Sequence, residues 1–367
     1  MSERKCPRRW PVALLLLACI SACAPGNRVE PRLVLIDADP TPVLETGSGA
    51  AEPSVTGFSG GRVVKLADGY HLVTTEMVAA DDVLATRLAH WTSEAGTQWQ
   101  RVDTLVVAPL GAGGSALPIR LRAPLPVFDP ASKRWSLFYA ECRGEAPVDT
   151  NVGEAAECAI HRVVSQTAGR PGIGGPYAAG GLDLGSEREA GSARGIGGSG
   201  SFLPFAVGEH WAAFFGSAGA PSGPVGIAGA PALAGPWKPR VPTRVTPIAE
   251  KSVGFPIVLH DRSGVYLAVY DDESEGTIGY SFSSDGFHWS PGRSLETFGA
   301  TGSWAAEVRD PLGLVPEDRN LFTVFFTGLK KARSEEGEAL PASCAAVGRA
   351  RVRLVWEPVN PYRGTSQ

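Results

Sequence analysis

Residues 256–272 read PIVLHDRSGVYLAVYDD: an apolar run, a polar turn, then an aromatic residue that opens a second apolar run. β-Branched and aromatic residues on both sides of an Asp-Arg-Ser-Gly turn predict a β-hairpin. The pattern returns at 63–76 (VVKLADGYHLVTTE), 126–141 (PVFDPASKRWSLFYAE), 203–217 (LPFAVGEHWAAFFGS) and 312–328 (LGLVPEDRNLFTVFFTG). Its aligned aromatics, Tyr70, Trp135, Trp211, Tyr266 and Phe322, recur at intervals of 55 to 76 residues. Single strands recur about every 8–12 residues in an ordinary all-β domain. The repeating unit is therefore a whole sheet.

Three hairpins are followed by a second recurring piece: Leu88–Trp99 (LAHWTSEAGTQW), Gly226–Trp237 (GIAGAPALAGPW) and Gly279–Trp289 (GYSFSSDGFHW). Each reads as a strand of small and apolar residues, a turn with Gly two or three positions before Trp, and a return strand. The second and fifth units carry CAIHRVVSQTAG and CAAVGRARVRLVW instead, without the Gly-to-Trp turn. Five four-stranded units that bury their faces by stacking on neighbours predict an all-β, five-bladed β-propeller of antiparallel blades. A β-sandwich or a two-domain all-β chain is the competing architecture. In the propeller, Trp99, Trp237 and Trp289 become packing between blades. Arg32–Ala38 (RLVLIDA) can add a strand to the last blade and latch the ring. The Gly-rich stretch Gly169–Ser201 reads as an exposed, flexible excursion between blades two and three, without a phosphate-loop pattern.

The N-terminus assigns a compartment. Arg4, Lys5, Arg8 and Arg9 form a basic start, and Val12–Ile20 is an apolar run too short to span a bilayer. Ile20-Ser21-Ala22-Cys23 then resembles the bacterial lipobox, which implies that Cys23 is acylated and becomes the new N-terminus; an ordinary secretory signal cut near Ala22 or Ala24 is the alternative. The expected organisation is a signal peptide at 1–22, a linker at 23–56, the propeller at 57–357 and a tail at 358–367. The expected location is the bacterial cell envelope, outside the cytoplasm, with the membrane reached through the lipid. Oxidising surroundings fit a disulfide between Cys142 and Cys158, which flank one polar loop; Cys344 receives no role. A composition 43% hydrophobic and 20% charged permits a buried core, and a net charge of −4 without a basic cluster in the mature part argues against nucleic acid as a partner. No Cys/His spacing predicts a metal site, and no cofactor is indicated.

Ser283–Trp289 (SSDGFHW) and Gly235-Pro236-Trp237 resemble turns of the five-bladed glycoside hydrolases of family 43 and the related families 32 and 68. The first is also similar, one residue short, to the Asp-box of six-bladed sialidases. The resemblance covers about residues 57–357 and implies hydrolysis by two carboxyl groups at the starts of innermost strands. The matching positions here read Ser59-Gly60-Gly61, Arg122-Ala123-Pro124, Gly200-Ser201-Phe202 and Val253-Gly254-Phe255-Pro256, none acidic. The fifth reads Glu307-Val308-Arg309-Asp310-Pro311 and looks like the family 32 Arg-Asp-Pro.

Asp310 is therefore the first candidate for catalysis, with Arg309 orienting it and Trp304 offering an apolar face to a sugar. Strand-two ends return to the rim where strand one begins, so Glu141 and Asp271 join Asp310 as candidate catalytic acids. Glu307, Asp272 and Glu76 are candidates for substrate contact. Two functions compete: a carbohydrate-binding or hydrolysing protein, whose partner is an oligo- or polysaccharide, and a non-catalytic envelope scaffold.

Overall fold

The computed structural model describes residues 29–46, 54–80, 83–107, 119–143, 157–185, 196, 199–217, 226–240, 253–272, 276–295, 304–330 and 345–358. The proposed signal peptide, Cys23 and Cys344 lie outside the described residues. The chain divides into a main unit, Leu33–Leu354, and a small unit of 1–32 and 355–367. In the small unit, Arg32 Nη1 meets Glu357 at 3.2 Å.

A first strand, β1 (Val29–Ala38), precedes four complete blades. Blade one is β2 (Val55–Leu66), β3 (Gly69–Ala80), β4 (Val83–Ser93) and β5 (Gln100–Val107). Blade two is β6 (Ile119–Asp129), β7 (Arg134–Arg143), β8 (Glu157–Ser165) and β9 (Tyr177–Ala179). Blade three is β10 (Ser199–Val207), β11 (His210–Ser217), β12 (Gly226–Ala230) and β13 (Lys238–Pro239). Blade four is β14 (Val253–His260), β15 (Tyr266–Asp272), β16 (Thr277–Ser283) and β17 (Arg293–Ser294). Blade five is β18 (Ala305–Pro316), β19 (Leu321–Lys330) and β20 (Ala345–Pro358), with β1 as its fourth strand. The inner strands β2, β6, β10, β14 and β18 each touch the next, and β18 returns to β2. This is a five-bladed propeller.

The blades hold together because their apolar side chains meet between sheets. Leu72, Trp91 and Trp99 of blade one share a core with Leu312, Val315 and Phe325 of blade five. Val73 and Leu88 pack on Leu121, Trp135 and Leu137 of blade two. A third core runs through blades two, three and four, and a fourth joins blades four and five. Trp99 meets Phe325 edge-on at 5.9 Å, and Trp289 meets Phe205 and Phe214 of blade three at 6.2 and 5.4 Å. Trp237 packs on Phe202 within its own blade. Burying one such ring contributes on the order of 2–3 kcal/mol, so the turns that carry Trp99 and Trp289 add to the adhesion between neighbours. Trp237, expected from the sequence between blades, instead lies edge-on against a ring of its own sheet.

Glycine on the third strand has a repeated purpose. Gly226, Gly279 and Gly348 lie directly opposite Phe215, Tyr270 and Phe326 of the second strand. A Cβ on each would fall 2.1–2.4 Å from the nearest atom of the opposing ring. The aromatic folds over the space a side chain would fill, so blades three, four and five each keep a large ring inside a thin sheet.

Ring closure draws on both chain ends. Asp39 pairs with Arg349 (Oδ2–Nε 2.9 Å) and Asp37 with Arg351, fixing β1 along β20. Between blades one and five, Glu317 accepts from Lys65 at 2.5 Å, from Tyr70 at 2.7 Å and from Thr323 at 2.8 Å.

Residues 169–185 depart from the flexible excursion expected of the Gly-rich stretch Gly169–Ser201. Arg170–Gly174 forms a short 3-10 helix and β9 completes blade two. Ile173 is fully buried in the core between blades one and two. Trp135 Nε1 donates to Arg170 O at 2.8 Å, and the Arg170 guanidinium lies 4.1 Å from the Phe128 ring centre. One isoleucine and one arginine, placed over an aromatic pair, order a segment whose composition alone suggests none. Residues 186–195 lie outside the described residues. The disulfide is present: Cys142 and Cys158 are register partners on β7 and β8, 4.0 Å apart at Cα.

Candidate functional site

Every inner strand breaks register with its neighbour near its start. Besides breaks at Val55–Gly57 on β2 and at Ala305–Glu307 and Pro311–Gly313 on β18, the irregularities fall between Ser59 and Gly61, Arg122 and Leu125, Ser199 and Ser201, Gly254 and Ile257, and Arg309 and Pro311. A bulge releases its residue from the ladder and re-aims it, and such devices gather at barrel rims and active sites. The released positions are Gly60, Ala123-Pro124, Gly200, Phe255-Pro256 and Asp310. Each of the five inner strands thus carries a bulge near its start, and Asp310 is the acid among these released positions.

Asp310 is built into its neighbour. Its Oδ2 accepts the Gly60 N–H at 3.2 Å, and Thr74 Oγ1 donates to Gly60 O at 2.6 Å. Gly60 has φ +59°, which points its amide out of the ladder, and an added Cβ would stand 3.7 Å from Ala123 Cα. Ala123 is itself left-handed, at φ +50°, although it carries a side chain and precedes Pro124. A non-glycine residue held there costs on the order of 1–3 kcal/mol, and such strain concentrates at functional sites. Bulges one, two and five thus interlock.

The other sequence candidates divide by surroundings. Glu307 is exposed and takes Arg309 Nη2 at 2.6 Å, so Arg309 has Glu307 as its ion-pair partner. Trp304 is half-buried and stacks on Phe326 with centroids 6.2 Å apart, its far edge close over Gly328. Glu141 accepts from Arg143 at 3.2 Å and lies 3.6 Å from His161 Nε2. Asp271 stands opposite Gly254 beside the blade-four bulge and is 2% exposed. Asp272 is fully buried and accepts from Ser294 of the outer strand at 2.9 Å. Burial, and after it the charge of Asp272, pushes the Tyr270 phenol well above its ordinary range.

Glu76, read from the sequence as a rim acid, is wholly buried. It accepts from Arg87 at 2.5 Å, from Arg101 at 2.9 Å and from Trp91 Nε1 at 3.0 Å. All three donors belong to the third and fourth strands of its own blade, so the acid faces the blade's outer part. The Ser283–Trp289 turn is equally architectural. Burial alone would raise the Asp285 carboxyl, but His288 (backbone and ring), the Phe287 N–H and the Ser283 hydroxyl hold it well below the ordinary range.

Sequence reading missed Arg62, two residues inside the blade-one bulge. Its side chain leaves β2 and Nη2 donates to Val258 O on β14 at 3.3 Å. Blades one and four are not neighbours in the ring, so Arg62 spans the axis. The one available signal was a charge at the head of the apolar run GGRVVKL. Among the described residues, no group of three or more His, Cys, Asp or Glu is placed to hold a metal ion.

The fold is a five-bladed β-propeller, and solved glycoside hydrolases are among its structural neighbours. A family 117 glycoside hydrolase of the marine bacterium Zobellia galactanivorans, Zg3597, shares it at TM-score 0.54 and 12% identity, over 89% of this chain and 90% of that one. The catalytic domain of the Coprinopsis cinerea GH62 α-L-arabinofuranosidase does so at 0.55 and 13%, over 88% and 98%. The Xanthomonas citri GH43_1 enzyme does so at 0.52 and 11%, over 91% and 96%. No protein-family model and no curated protein matches the sequence.

Proposed function

We propose that this chain is an exported, lipid-anchored propeller that binds saccharide at its axial mouth without hydrolysing it. The observation that carries the reading is the set of five inner-strand bulges, with Asp310 the one acid among them. Glycosidic hydrolysis asks for two carboxyl groups about 5–9 Å apart, one on each side of the bond. Glu76 and Asp272 are committed to partners inside their own blades, which removes two acids from that task. Binding asks for less: a fixed carboxylate that accepts sugar hydroxyls, beside exposed polar groups. Asp310 is fixed by Gly60, Glu307 and Arg309 lie on its own inner strand β18, and Arg122 lies on the inner strand β6. Solved propellers with this fold include glycoside hydrolases, which supports a sugar as the ligand class. The lipobox-like Ile20–Cys23 supports the anchor.

Three measurements test this. A glycan array identifies ligands, and Asp310→Asn then loses at least tenfold in affinity, since a hydrogen bond to a charged group is worth about 1.5–3 kcal/mol. Asn keeps an acceptor for the Gly60 N–H, so the melting midpoint stays near wild type; unchanged affinity would remove Asp310 from the site. Turnover of a bound glycan by the wild type would overturn the non-hydrolytic reading. For the anchor, wild type incorporates labelled palmitate and Cys23→Ser does not; equal membrane retention of both forms would refute lipidation.

A further inference from the structure

Arg62 poses a charge problem that the saccharide reading does not solve. The guanidinium carries five N–H donors and stays protonated at neutral pH. Among the described residues it makes one hydrogen bond, a 3.3 Å contact to a neutral carbonyl, and no carboxylate pairs with it. Protein surrounds it closely enough that burial pushes its pKa down to about 10, with no charged neighbour contributing. The residue itself is half-buried on the inner strand β2. A desolvated cation without a counter-charge is costly, and the cost is relieved when an anion arrives. Arg122, exposed and next to the Ala123 bulge, adds a second cation on the adjacent inner strand.

We propose that Arg62 forms the floor of an axial subsite for the carboxylate of an acidic sugar. The planar fork of a guanidinium matches a carboxylate with two parallel hydrogen bonds, and among the described residues Arg62 commits a single donor, to Val258 O on β14. Asp310, at the mouth, takes hydroxyls; Arg62, deeper, takes the acid group. The two charges sort the ligand end-on, acid inward. The inference rests on the saccharide reading and names its substrate class, a uronic-acid-bearing saccharide.

The test compares glucuronate, galacturonate, glucose and sodium sulfate as probes of the full-length wild type, by calorimetry and thermal shift at low ionic strength. A uronate is expected to bind at least tenfold more tightly than glucose, and Arg62→Gln to abolish that preference while Arg62→Lys keeps part of it. Equal binding of uronates and glucose overturns the inference even should Arg62→Gln fail to fold. Sulfate binding as tightly as the uronates also overturns it, by making the site one for a free anion. A glycan array read alongside separates the two levels. Neutral glycans bound without acidic preference leave the saccharide reading standing and the Arg62 subsite refuted. No glycan bound at all refutes both.

Discussion

Glu76→Ala is expected to lower stability by about 3–5 kcal/mol, the range for removing one member of a buried ion pair. For a domain this large that is a fall in melting midpoint of roughly 6–10 °C. The carboxylate is fully buried and receives two guanidinium groups and an indole N–H. Truncation leaves Arg87 and Arg101, whose side chains are 18% and 15% exposed, without their shared acid. The loss is electrostatic rather than volumetric, which gives a second readout. Replacing all three charged residues by Leu should cost less than Glu76→Ala alone, because a missing ion network is cheaper than a broken one. Denaturant unfolding of both variants decides it. A loss under 1 kcal/mol for Glu76→Ala would show that the network contributes little, and would return Glu76 to the list of acids available for function.

The second large effect is on pH dependence. His71 and His90, on adjacent strands of blade one, stack with rings 5.2 Å apart, and His71 Nδ1 lies 3.0 Å from His90 Nε2. His71 Nε2 in turn meets Asp68 at 3.1 Å. Burial, and after it the neighbouring His71, push the His90 pKa from 6.5 down to about 4, while Asp103 and Asp68 oppose the change weakly. The folded pKa is lower than the unfolded one, so between these values the unfolded chain binds more protons. Stability is whole above pH 6.5 and is lost as the pH falls towards 4, by roughly 3 kcal/mol in total. Melting midpoints measured from pH 7 to pH 4 should therefore fall more steeply for wild type than for His90→Gln. Parallel curves would mean that His90 titrates normally in the folded protein.

The repeat is what made the fold legible. Five copies of one hairpin pattern, each with its aromatic in the same place, could be counted without knowing any contact, because strand alternation and turn chemistry are local. The Cys142–Cys158 bridge was readable for the same reason: both residues flank one hairpin. The ordered segment at 170–179 was not, since its order comes from Ile173 and Arg170 settling on side chains from other strands, and composition reports only the glycines.

The site follows the opposite logic. Sequence alone established five blades, a bridge within the second, and an inner-strand acid at Asp310. Tertiary structure decided what the acids and bases do. A strand-end position states which rim a residue is near but not which side of the sheet it faces, so Glu76, assigned to the axial rim, lies instead against Arg87 and Arg101. Asp310 acquires its fixed orientation from Gly60, 250 residues away, and Arg62 reaches Val258 across 196 residues. Closing a ring brings the first and last blades together and sets non-neighbouring inner strands face to face. Those contacts are products of closure, and no local pattern encodes them.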